Sequence, residues 1–69
     1  MSADTPEGQR ERAAIQYMMR RLDGFARGLG LDEATTRHIA EKVAADMLER
    51  SDDERLKSAR NCLLAAASA

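Results

Sequence analysis

The chain has little of what small folds usually rely on to hold themselves together. Its single cysteine, Cys62, excludes a disulfide within the chain. There is no Trp, one Tyr and one Phe, so aromatic anchors and base-stacking platforms are nearly absent. One Pro and four Gly in 69 residues argue against a turn-rich all-β fold. The longest apolar run, Cys62 to Ala67, is six residues, far short of a membrane span. The first residues, Met1 to Glu7, are polar and acidic and do not read as a signal peptide. A lone thiol fits a reducing compartment, and the expected location is cytoplasmic.

Apolar residues are present, but they are small. They make up 43% of the chain, and 13 of these 30 residues are Ala. The side chains able to fill a core are seven Leu, four Met, two Ile, one Val and the two aromatics. A domain of this size buries only about 60% of its unfolded surface. Sharing an apolar face with a second copy or a partner is the simplest remedy for so thin a core. The low content of large aliphatics would suggest disorder if net charge were high, but it is −1 and the apolar positions are periodic.

Three helices follow from that periodicity. Thr5-Pro6-Glu7 reads as a helix start, with Thr as N-cap and Pro at the first helical position. Ile15, Met18, Leu22, Phe25 and Leu29 then recur at steps of three and four, a coiled-coil-like seam. Met19 and Ala26 widen this stripe, and Gly28 and Gly30 end the helix. Uninterrupted through Gly24, such a helix is roughly 30–35 Å long. Asp32 caps a second helix whose apolar face is Ile39, Ala40, Val43, Ala44, Met47 and Leu48. Ser51 and Glu54 form a capping box for a third, packed through Leu56, Ala59, Leu63 and Ala66. The expected fold is all-α: a small three-helix bundle, with a long helix 1 and two shorter antiparallel helices, and oligomeric. Helices are expected at about 6–28, 33–50 and 52–66, in one domain over 5–66. Residues 1–4 are expected to be disordered and 67–69 to fray.

Charge is segregated along the chain. Residues 1–27 carry a net +1, residues 28–54 a net −5 and residues 55–69 a net +3. Complementarity between neighbouring helices explains most of this. Spacing-four pairs such as Glu33/Arg37, Arg37/Glu41, Lys42/Asp46 and Asp46/Arg50 mark a solvated surface on helix 2.

Catalysis needs convergent polar groups, and the chain offers one His, one Cys and one Tyr. His38 falls on the polar side of helix 2. Cys62 falls at the edge of the apolar face of helix 3 and reads as a small buried thiol. Metal-ligand spacing is missing: there is no CxxC, HExxH or His/Cys cluster. No phosphate-cradling glycine loop is present either. The chain is therefore expected to be non-enzymatic, with no cofactor and no metal.

One local pattern points to nucleic acid. Ala26-Arg27-Gly28-Leu29-Gly30-Leu31-Asp32-Glu33-Ala34-Thr35-Thr36-Arg37-His38-Ile39 resembles the turn of helix-turn-helix proteins over about 14 residues. The resemblance implies a DNA-binding regulator using the Gly28–Ile39 turn and the second helix, with Arg37 and His38 as contacts. The sequence departs from it in having Thr36 where an apolar residue is usual. Its would-be recognition helix is also acidic, with Glu33, Glu41, Asp46 and Glu49 opposing phosphate.

The leading expectation is instead a protein-interaction module: a small regulator, adaptor or inhibitor working by helix-helix packing, without membrane contact. Its partner would be another protein or a second copy of itself. Ile15, Met18, Met19, Leu22 and Phe25 would be the anchors, and Arg20, Arg21 and Arg27 the orienting charges. Methionines suit such a surface because they adapt their packing.

Overall fold

The computed structural model describes residues 5–69. The expected disorder of residues 1–4 lies outside the described residues. The described chain forms three helices, α1 (Pro6–Gly28), α2 (Glu33–Asp46) and α3 (Asp52–Ser68), each packed on the other two. The molecule measures 39 × 22 × 19 Å.

Each helix begins where its capping residue places it. Thr5 Oγ1 accepts the Gly8 N–H at 2.9 Å, and Pro6 occupies the first helical position, where its missing N–H costs nothing. Asp32 Oδ1 accepts the Thr35 N–H at 2.8 Å. Hydrogen bonding to Thr35 holds the Asp32 carboxyl below its ordinary value of 3.8. At α3 the capping box is closed in both directions: Ser51 Oγ accepts from the Glu54 N–H at 3.2 Å, and Glu54 Oε1 accepts from the Ser51 N–H at 3.3 Å.

The α1–α2 turn is a Schellman motif. The Leu31 N–H bonds back to the Ala26 carbonyl at 3.0 Å, and the Gly30 N–H to the Arg27 carbonyl at 3.0 Å. The motif needs one left-handed residue, supplied by Gly30 at φ 79°. Gly24 sits inside α1 without interrupting it.

The core is thin, and Ala is what closes it. Its buried residues are Ala14, Met18, Leu22 and Ala26 from α1, Ala40, Val43 and Ala44 from α2, and Leu56, Ala59 and Leu63 from α3. Five of these ten are Ala, so the helices pack closely around the few large side chains. Met18, Leu22 and Leu63 are the largest that are fully enclosed. Thr36 is also buried, and its hydroxyl donates to the Asp32 carbonyl at 2.9 Å. That bond satisfies the polar atom at a position where an apolar side chain would need none.

Two boundaries differ from the sequence expectation. α2 ends at Asp46, not near residue 50, and Met47 leaves helical geometry at φ −125°, ψ 37°. The cause is Arg55, a buried residue in the first turn of α3. Its Nη1 donates to the carbonyls of Met47 (3.0 Å), Leu48 (3.1 Å) and Arg50, and its Nη2 to Asp52 Oδ1 at 2.6 Å. A guanidinium thus takes the carbonyls that the end of α2 leaves unpaired, and the chain turns there. At the other end α3 runs on to Ser68, beyond the expected stop at 66.

Candidate functional site

The seam predicted on α1 is divided by the fold. Met18 and Leu22 are fully enclosed by the chain's own helices, so neither presents a surface to a partner. This corrects the expectation that they serve as partner anchors: inward seam positions are consumed by the bundle. Ile15, Met19 and Phe25 pack against the core but remain partly exposed.

The orienting arginines are divided as well. The Arg21 guanidinium lies over the Tyr17 ring, 4.8 Å from its centroid. Arg27 pairs with Asp23 one turn back at 3.4 Å. Arg20 is exposed and makes no ion pair with any described residue.

Ile15, Met19 and Arg20 come together in one place, an open trough between α1 and α2. Its larger lobe, about 540 Å³, is lined by Gln16, Met19, Arg20 and Asp23 of α1 and Glu33 and Arg37 of α2. A second lobe of about 250 Å³ continues along the same helix pair between Arg12, Ile15, Gln16, Arg37 and Glu41. Gln16 and Arg37 belong to both lobes and mark the middle of the trough. Antiparallel α1 and α2 explain this register: residues advance from 12 to 23 along one wall while they fall from 41 to 33 along the other.

Ile15 and Met19 are the apolar side chains of a lining that is otherwise polar and charged, a mixture found at the rims of contact surfaces. The charges are not all used internally. Arg37 pairs with Glu33 at 3.7 Å, and Asp23 is held by Arg27. Arg20 near one end and Glu41 at the other have no ion-pair partner among the described residues.

Arg37 and His38, the residues placed on DNA by the helix-turn-helix resemblance, are both exposed in the first turns of α2. Arg37 is a wall of the trough, and its guanidinium lies beside the Glu33 carboxylate. Sequence reasoning thus set Arg37 apart from Met19 and Arg20, whereas the fold groups them. The signal that would have joined them is the antiparallel register imposed by the short α1–α2 turn.

Cys62 is exposed, which corrects the expectation of a buried thiol. It sits one step around α3 from the Ala59–Leu63 stripe, at the edge of a small cleft of about 140 Å³ with Ile39, Val43, Met47 and Ser58. Leu64 is the one large hydrophobic residue classed as exposed among the described residues, at 45%. Among those residues no group of three or more His, Cys, Asp or Glu side chains is placed to hold a metal ion. No helix among them is long and apolar enough to cross a membrane. Comparison with family models, curated proteins and solved structures finds no match to this chain.

Proposed function

We propose that this chain is a non-enzymatic helical interaction module, a small regulator, adaptor or inhibitor that meets its partner through the α1–α2 trough. One observation carries the reading: Met19 and Ile15 stay partly exposed in the same trough as Arg20, a cation with no ion-pair partner among the described residues, while the inner half of the same seam is buried. Binding surfaces of this kind use an apolar strip for affinity and rim charges for orientation and encounter rate. The partner's matching element is a helix or a pair of helices laid along the trough, as amphipathic helices lie in grooves.

Site-specific photo-crosslinking in cells tests it. A photoreactive side chain at Met19 should give one discrete protein adduct, lost when Ile15→Asp is added. The same group at Arg60, on exposed α3, should give none. Equal labelling from both positions, or no adduct from Met19, contradicts the reading.

The DNA-binding reading is the second one. It is supported by the exposure of Arg37 and His38 after a short turn. Against it stand the Arg37–Glu33 pair and a net −5 over residues 28–54. It requires salt-dependent binding to duplex DNA that Arg37→Glu weakens; no binding at about 50 mM salt removes it.

A further inference from the structure

Charge is not uniform along the trough. Beyond its larger lobe the trough continues into a third, of about 190 Å³, which shares Met19, Asp23 and Glu33 with it and adds Arg27, Leu31 and Asp32. The lobe at the opposite end sets Arg12 and Arg37 against Glu41, a net +1. The third lobe sets Asp23, Asp32 and Glu33 against Arg27, a net −2. The larger lobe between them balances Arg20 and Arg37 against Asp23 and Glu33. Ion pairing inside the walls keeps this polarity. In the Arg37–Glu33 pair the cation lies toward the basic end and the carboxylate toward the acidic one. Apolar side chains run the whole way: Ile15 in the basic lobe, Met19 one turn on, and Leu31 in the acidic lobe.

Resting on the interaction reading above, we infer that the occupant of the trough is one amphipathic helix of a different protein, with acids in its first turns and bases in its last. Its acidic turns lie over Arg12, Arg37 and Arg20, and its basic turns over Asp23, Asp32 and Glu33. Its apolar stripe meets Ile15, Met19 and Leu31. The groove between two helices is where a third helix packs, with side chains one turn apart seated along it. A second copy presents the same face, and a hollow set against a hollow leaves the apolar row uncovered. A nucleic-acid backbone is negative along its whole length, and the net −2 end repels it. An occupant whose own charge changes sign along its length matches both ends.

Length and direction follow from the walls. From Arg12 to Arg27 the α1 wall covers about 22 Å at 1.5 Å per residue, which a helix of about 15 residues spans in about four turns. Acids near the start of a helix and bases near its end also suit the helix dipole. The charge order that fits the trough is therefore one that supports the partner helix itself. With its acidic start over Arg12, that helix runs in the same direction as α1 and antiparallel to α2.

A display library of peptides of about 15 residues, with Leu at helical spacing and Glu, Lys or Ala elsewhere, tests the inference on the full chain. Peptides are selected on the wild type and counter-selected on Ile15→Asp. The enriched sequences are expected to place Glu in the N-terminal half and Lys in the C-terminal half. For the tightest of them, fluorescence anisotropy should show about fivefold weaker binding to Arg20→Glu. Glu41→Gln, which removes the one acid of the basic lobe, should bind about twofold more tightly. Arg60→Glu, on exposed α3, should bind as the wild type does. Arg20, Glu41 and Arg60 are exposed, and circular dichroism confirms the fold of every variant. Several results would each overturn the inference: no enrichment over Ile15→Asp, mixed or reversed charge order in the enriched peptides, Arg20→Glu without effect, Glu41→Gln no tighter, or an Arg60→Glu loss equal to that of Arg20→Glu. Any of these beside a discrete Met19 adduct in cells refutes the helix and leaves the interaction reading standing. A Met19 methyl that shifts on dilution of the chain alone puts a second copy in the trough and does the same.

Discussion

The Arg55 guanidinium, rooted in the first turn of α3, donates to the Met47 main-chain carbonyl at 3.0 Å, eight residues earlier in the chain. The same group reaches the Leu48 and Arg50 carbonyls and the Asp52 carboxylate. One side chain thereby terminates α2, shapes the turn and ties it to α3. Its Nε alone has no partner among the described residues.

Arg55→Ala leaves several carbonyls and a carboxylate without their donor. The expected loss is about 2–4 kcal/mol, large for a domain of this size. Arg55→Lys should recover part of it, since an ammonium reaches fewer of these acceptors. Urea unfolding of the three proteins checks the order.

Two glycines should respond in opposite directions. A Cβ at either Gly24 or Gly30 meets nothing within 4 Å, so space does not decide the outcome. Backbone conformation does. Gly30→Ala forces a side chain into a φ of 79° and should destabilise by about 1 kcal/mol. Gly24→Ala, in the interior of α1, should stabilise by roughly 0.4–1 kcal/mol. Thermal melts of both variants read the sign directly.

The caps, the three helices and the all-α bundle were legible because each signal is local. Thr-Pro, Asp32 and the Ser51/Glu54 box act within four residues, and apolar spacing within one helix. What was not legible depends on contacts between helices. Arg55 looked like one of three basic residues in the last segment, because its acceptors are carbonyls that every residue carries. Asp46/Arg50 spacing suggested a longer α2, but Arg50 turns to Glu54 across the bend at 3.8 Å. Periodicity marked the α1 stripe but not its split into the enclosed Met18 and Leu22 and the outward Ile15 and Met19.

That split separates stability from contact. Leu22→Ala and Leu63→Ala, at fully enclosed positions, should each cost about 2–5 kcal/mol, enough to unfold much of the chain. Met19→Ala, at a half-exposed position, should cost far less while weakening association. Denaturant midpoints and binding of the selected helical peptide on the same samples distinguish the two classes.

Asp32 gives the fold an acid-sensitive element. Its carboxyl is held below 3.8 by bonds from Thr35 that form only in the folded chain. Protons therefore bind the unfolded form more readily. The cap's contribution is complete above the unfolded value, falls as pH drops through it, and is gone below the lowered folded value. Asp32→Asn, which cannot titrate, should remove that part of the acid dependence. Melting temperatures of both proteins from about pH 6 to pH 2 check it.

Under the function proposed, the outward half of the α1 seam meets a protein, either a second copy of this chain or a different one. The methionine methyl signals separate that half from the rest of the molecule. Met18 is enclosed, Met19 lines the trough, and Met47 lies by the separate cleft between α2 and α3. On dilution from about 500 μM to about 5 μM, for a second copy, or on titration with the protein captured from Met19, for a different one, the Met19 methyl should shift while those of Met18 and Met47 stay in place. A Met19 signal that moves in neither experiment, or movement at Met47 in its stead, would contradict the proposal.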